Sequence, residues 1–303
     1  MTIETPHTNS QSIKEADARS YAQSSGDFSR LTEMYSNAVA SHMLDLAGMG
    51  REVELLDIGT GSGLVAIRAA KLGNCKHVTG IDQSKEMLIE ARANALAERL
   101  GDRVIFRAMD AENLDISDGV IDIVTGLYVL SHLPNPGKAI DEAYRVVKKG
   151  GRAVFAVGAP PALLTADGLR AVLDKGQDRL LESLGRRATS PTSLRNFLDR
   201  RGVGGQSSHA VQHAKADVAY MYRKAGFRNI QKHWFGQSFD LSPEQFWEVQ
   251  SIFDSEARSR LSVLGKDVIY HLRAEFLSKC RAIVERGGKL IYRTGAQIYV
   301  GER

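Results

Sequence analysis

The chain has 303 residues, 43% of them apolar and 25% charged, with a formal net charge of +4. Such values fit a globular protein with a sizeable core, and a positive balance this small and scattered gives no argument for a nucleic-acid partner. The two cysteines, Cys75 and Cys280, lie far apart without a Cys or His cluster, which argues against a disulfide framework and a structural zinc site and predicts no bound metal. No 18-residue apolar run predicts a membrane span, and the polar first 20 residues show no secretory signal, so a cytoplasmic setting is expected.

Residues 1–20 read as a mobile arm. Between Phe28 and Leu46 the apolar side chains of Leu31, Met34, Tyr35, Ala38, Val39, Met43 and Leu46 fall at helical spacing, and Gly48 and Gly50 stop the pattern. Strand and helix signals then alternate. "VELLDI" (53–58) is followed by a helix over 62–72, and "HVTGID" (77–82) by a helix over 84–99 with Ser84 as its N-cap. Strands follow at 103–110, 120–130 and 150–158, the last two separated by a helix over 137–147. Strands separated by helices predict βαβ units and a mostly parallel sheet. After Pro160 and Pro161 the chain is helical but irregular to 210, with a loop over 200–209. A helix over 216–226, a strand over 227–235, a helical block over 242–285 and a final strand, continuous or broken at Gly295, complete the chain.

The corner "LLDIGTGSG" carries the chemistry. Glycines at 59, 61 and 63 follow a strand, where positive φ is accessible to them and a ligand can approach unhindered by a Cβ. A turn without a ligand is the plain alternative. Asp82, at the end of the second strand, is placed to accept ribose hydroxyls, and Asp110, at the end of the third, to meet an adenine amino group. Together these predict an adenosine-bearing ligand. The pattern is G-x-G-x-G, whereas the dinucleotide fingerprint would put its third glycine where Leu64 stands. Asp57 would repel a pyrophosphate and suits a ligand bearing an amine and a sulfonium, as S-adenosylmethionine does.

These stretches resemble the class I S-adenosylmethionine-dependent methyltransferases: "LLDIGTGSG" their first motif, "GIDQSKEML" their acidic loop, "AMDAENL" their adenine-side motif, and 121–151 their fourth strand through the turn into the fifth. The subgroup it is most similar to serves ubiquinone and menaquinone biosynthesis. The resemblance implies an α/β, Rossmann-like sheet of seven strands in the order 3-2-1-4-5-7-6, the last strand antiparallel, with helical lid insertions. It implies that Gly59, Thr60, Gly61 and Gly63 frame the methionine part of the cofactor and that Asp57 orients its amino group. Asp82, with Gln83 and Met87 beside it, would hold the ribose. Asp110 and Ala111 would meet the adenine, and Leu127 would lie near the methyl. Tyr21, Phe28 and Tyr35 would close an N-terminal lid, although the tyrosine–aspartate pair usual in relatives is not intact.

The implied organisation is an arm (1–20), a helical cap (21–50), the cofactor-binding core (51–160), a variable substrate segment (161–215), a sixth-strand unit (216–240), a helical insertion (241–286) and a final strand (287–303). Displacement of a methyl group needs a base only if the nucleophile must lose a proton. His132 is either that base or a substrate contact, or a histidine packing the turn before Pro134; His209 and His213 flank a loop that could close on the site or are solvated surface residues, and Tyr128 has the same two readings. No Asn/Asp-Pro-Pro-aromatic element follows the fourth strand, which disfavours a nucleic-acid or glutamine acceptor. The expected acceptor is a small molecule: a quinone precursor, a lipid-like compound or a secondary metabolite. A nicotinamide-dependent oxidoreductase and a silent cofactor-binding module are the rival readings, and a homo-oligomer is compatible with the sequence.

Overall fold

The computed structural model describes residues 25–159, 191–203 and 217–303, together with Leu169 and Leu173. The predicted arm, Tyr21, His209, His213 and most of the 161–215 segment lie outside the described residues.

Helix α1 (Ser25–Ala47) buries Leu31, Tyr35, Val39 and Met43, one face at i, i+4 spacing. Strand β1 (Val53–Ile58) leads into α2 (Leu64–Lys71), and β2 (Cys75–Asp82) into α3 (Lys85–Ala97). The Ser84 hydroxyl caps α3, accepting from the Met87 amide at 3.2 Å. Strands β3 (Val104–Ala108) and β4 (Ile121–Leu127) precede α4 (Pro136–Val146), where Pro136 stands in the first turn and lacks only a hydrogen bond that no helix start can make. Strand β5 (Val147–Gly158) follows. The remaining elements are α5 (Leu194–Arg200), α6 (Val218–Ala225), β6 (Arg228–Asp240), α7 (Pro243–Phe253), α8 (Ser255–Ser262), α9 (Lys266–Glu285) and β7 (Ile291–Glu302).

The seven strands form one sheet in the order β3-β2-β1-β4-β5-β7-β6, as the resemblance implied. The pairs β1–β2, β1–β4, β2–β3 and β4–β5 are parallel. Strand β7 runs against β5: the Gly150 amide bonds to the Arg303 carbonyl at 2.8 Å, whereas the Ala159 amide bonds to that of Gly295 at 2.9 Å. Leu56, Ile58, Ile81, Val124, Phe155 and Tyr222 are buried in the core around the sheet. The Tyr222 hydroxyl is satisfied there, within 3.2 Å of the Ala153 carbonyl and 3.3 Å of the Tyr299 carbonyl.

The described residues divide into two compact units. The first holds those up to Val157, with 217–233 and Gln297–Arg303. The second holds the residues described between 158 and 203, with Trp234–Ala296, where Phe246 stacks on Phe276 and where Phe197 and Trp247 meet the same ring edge-on.

The structure shifts several of the expected boundaries, subdivides the helical block and decides the boundary left open at Gly295. The strand expected to reach residue 130 ends at Leu127, because Tyr128 turns into the left-handed region (φ 60°). The helical block over 242–285 is three helices; Asp254 ends α7 and caps α8, accepting from the amides of Glu256 and Ala257. Strand β7 runs unbroken through Gly295, where a Cβ would strike the Ala159 carbonyl oxygen, so this glycine permits close strand approach and ends nothing.

Candidate cofactor site

The sheet order reverses between β1 and β4, and the C-terminal edge of the strands at such a point opens a crevice for ligands. The predicted residues gather there: the glycine corner after β1, Asp82 closing β2, Asp110 just past β3 and Leu127 closing β4.

Gly59, Gly61 and Gly63 all have positive φ (66°, 53° and 90°), a conformation that other residues adopt at a cost. Their surroundings divide them. A Cβ on Gly59 would collide with Val129, and one on Gly63 would press on Ile67, Phe106 and Ala91 at 3.0–3.3 Å. A Cβ on Gly61 would meet nothing within 4 Å. Two of the glycines therefore serve packing, and only Gly61 faces open space.

The corner is pinned from β2. The Thr60 amide donates to the Ile81 carbonyl and the Gly61 amide to Asp82 Oδ2, both at 2.9 Å. Asp82 Oδ1 accepts from the Ser84 amide at 2.9 Å, so one carboxylate joins the glycine corner to the start of α3. Burial raises the Asp82 pKa, against the pull of the Ser84, Gly61 and Gln83 amides and the nearby charge of His132. His132, at the end of the turn Val129–His132, is near enough to act on the same acid. Met87 is buried in the first turn of α3.

Asp57 is 1% exposed. Its Oδ1 accepts from the Thr125 hydroxyl at 2.8 Å, while its Oδ2 and the Thr60 hydroxyl are buried with no hydrogen-bond partner at normal distance. Burial pushes the carboxyl up to about 6; Thr125 opposes the rise most, Thr60 and the Ala66 amide add to that opposition, and Asp82 reinforces the rise. A buried acid with an unpartnered oxygen beside a glycine turn fits a cationic group and repels a phosphate.

Asp110 forms a tight turn, its Oδ1 accepting from the Glu112 amide at 2.9 Å and its carbonyl from the Asn113 amide at 3.1 Å; Ala111 between them is buried. Beyond Leu127, Tyr128 is held by its own amide on the Ala156 carbonyl and by the Ser131 hydroxyl on its carbonyl, both at 2.8 Å. Burial pushes its phenol up to about 12, so it stays protonated near neutral pH. Phe28 is half-buried, but Tyr35 is 2% exposed, packed within the inner face of α1. That corrects the lid expectation for Tyr35: a ring already in the core has no free face to close with.

Thr125 escaped the sequence reading, and so did the left-handed turn at Tyr128. Nothing marks Thr125 until the register sets it directly opposite Asp57. Tyr128 sits inside an apolar run that reads as continued strand.

Residues 56–155 match the family described as a methyltransferase domain. The glycine corner and the strand order over that segment agree with this match. Among curated relatives, the chain is 39% identical over 129 residues to a ubiquinone biosynthesis O-methyltransferase of Alkalilimnicola ehrlichii, covering 40% of this chain and 51% of that one. It is 40% identical over 119 residues to a 27-O-demethylrifamycin SV methyltransferase of Amycolatopsis mediterranei, covering 38% and 43%. The chain thus spans about half the length of the curated relatives it matches. The YcgJ protein of Bacillus subtilis shares the fold, with a TM-score of 0.54 at 19% identity over 87% of this chain and 97% of that one.

Proposed function

We propose that the whole chain transfers a methyl group from S-adenosylmethionine to a hydroxylated small molecule, of the kind met as a quinone precursor or a secondary metabolite. The observation that carries this reading is the buried Asp57, with an unpartnered oxygen beside an open glycine turn. The relatives that act in ubiquinone biosynthesis and on demethylrifamycin support the acceptor class.

S-adenosylmethionine supplies a methyl group already activated on a sulfonium, so the protein's main task is alignment. Gly61 leaves room for the methionine end, and Asp57 faces its ammonium. Asp82, whose carboxylate accepts the Gly61 amide on one oxygen and the Ser84 amide on the other, also has lone pairs for ribose hydroxyls. Asp110, Ala111 and Leu127 line the adenine and methyl sides. His132 takes the proton of an acceptor hydroxyl as it attacks, and Tyr128, being protonated, donates hydrogen bonds and does not act as a base.

Calorimetric titration with S-adenosylmethionine, S-adenosylhomocysteine and NAD tests the reading. Micromolar binding of the first two without NAD is expected. NAD binding alone, or binding of none, would overturn it.

A further inference from the structure

Asp57 and Thr125 are paired opposite one another on the adjacent parallel strands β1 and β4, and Thr125 is wholly buried. The 2.8 Å bond from its hydroxyl is made to one carboxylate oxygen only. The other oxygen has no partner at normal distance, and the Thr60 hydroxyl of the glycine corner is likewise buried without one. A buried carboxylate that accepts a single strong bond is fixed in rotation and left incomplete on one side. A threonine in the middle of a β-strand needs its methyl for packing, whereas its hydroxyl must be satisfied wherever it is buried. Here the hydroxyl is spent on the acid, although a valine of the same shape would fill the space.

We propose that Thr125 is a positioning residue for cofactor recognition: its hydroxyl fixes the Asp57 carboxylate so that Oδ2 stays available to a cationic amine entering at the glycine corner. The inference rests on the reading that this amine belongs to S-adenosylmethionine. Asp82, at the end of β2, is the charged group that acts on Asp57 and resists its ionisation; the glycine corner offers the Thr60 hydroxyl and α2 the Ala66 amide, both weaker influences than Thr125, and His132 acts on Asp82. The Thr125 hydroxyl is the foremost influence favouring the ionised acid, so its removal shifts the balance toward a protonated Asp57 that attracts an ammonium less.

The test compares wild type, Thr125→Val and Thr125→Ser, each first shown to melt cooperatively. The Asp57 carboxyl is titrated by carbon NMR in unliganded protein, and S-adenosylmethionine affinity is measured by calorimetry from pH 5 to 8. Thr125→Val should raise the Asp57 midpoint by about one pH unit and weaken binding by about fivefold at pH 6, approaching tenfold at pH 5, since one unit corresponds to a tenfold change once both acids are mostly protonated; Thr125→Ser should restore both. An unmoved midpoint in Thr125→Val overturns the proposal at the acid. A moved midpoint with an unchanged affinity profile overturns it at the amine. Wild type that binds no S-adenosylmethionine overturns the functional reading, and the amine assignment with it, while the NMR arm still reports whether Thr125 governs Asp57.

Discussion

A carboxyl with the Asp57 pKa of about 6 in the folded protein and the ordinary 3.8 when exposed makes folding sensitive to mild acid. Between those values the folded state keeps a proton that the unfolded chain has lost, so stability is higher at low pH and falls as pH rises from about 4 to about 6. Above pH 6 the acid is ionised in both states and its contribution levels off. A shift of roughly two units corresponds to about 3 kcal/mol across the window. Asp57→Asn should remove that slope, so its stability relative to wild type grows by about that amount between pH 4 and 7, as read from urea midpoints. Parallel slopes in the two proteins would mean that Asp57 titrates elsewhere. At this scale the sequence showed which acids matter, since Asp57, Asp82 and Asp110 each end a strand or follow one directly. It could not show that Asp57 is held by Thr125, 68 positions away in the chain, because that pairing exists only once β1 and β4 are in register.

The strand-to-helix corner is the element on which binding depends, and its glycines separate by what surrounds them. Gly59→Ala forces a methyl into Val129 and adds backbone strain, and should destabilise the fold by roughly 2–4 kcal/mol. Gly61→Ala meets open space, so the strain alone should cost about 1 kcal/mol, yet the methyl stands where the ligand approaches. The expected pattern is a large loss of stability with Gly59→Ala, and a small one with at least tenfold weaker S-adenosylmethionine binding for Gly61→Ala. Urea unfolding and calorimetry on the same samples read both; equal effects at the two positions would count against the division of labour. The alternation of strands and helices through β5 was legible because each apolar run is bounded by a glycine or a capping residue. The strand end misread at Tyr128 has a long-range cause: the Tyr128 amide bonds to the Ala156 carbonyl of β5, so local pattern favours continuing where the chain turns. The course of the last strand at Gly295 stayed open for a like reason, since the Ala159 carbonyl that crowds this position is distant in sequence.

Across the whole molecule, the two units have separate cores. Leu56, Ile81, Val124 and Phe155 lie in the core of the first, while Phe197, Phe246, Trp247 and Phe276 pack together in the second. The second unit also carries its own ion pairs, Arg195 with Asp254 at 3.0 Å and with Glu256 at 3.1 Å, which tie α5 to the start of α8. All the residues assigned to the cofactor among those described belong to the first unit. A ligand bound to folded protein alone stabilises it by mass action, about 2.7 kcal/mol at a hundredfold excess over its Kd, and slows exchange most where backbone amides border the site. Hydrogen exchange with saturating S-adenosylmethionine should therefore show protection at 59–64, 82–84, 109–113 and 127–132. The amides of α7 and α9 around the Phe246–Phe276 stack should exchange as they do without it. Protection confined to α7–α9 would move the cofactor out of the glycine corner, and would leave the acids at the strand ends with a purely structural part.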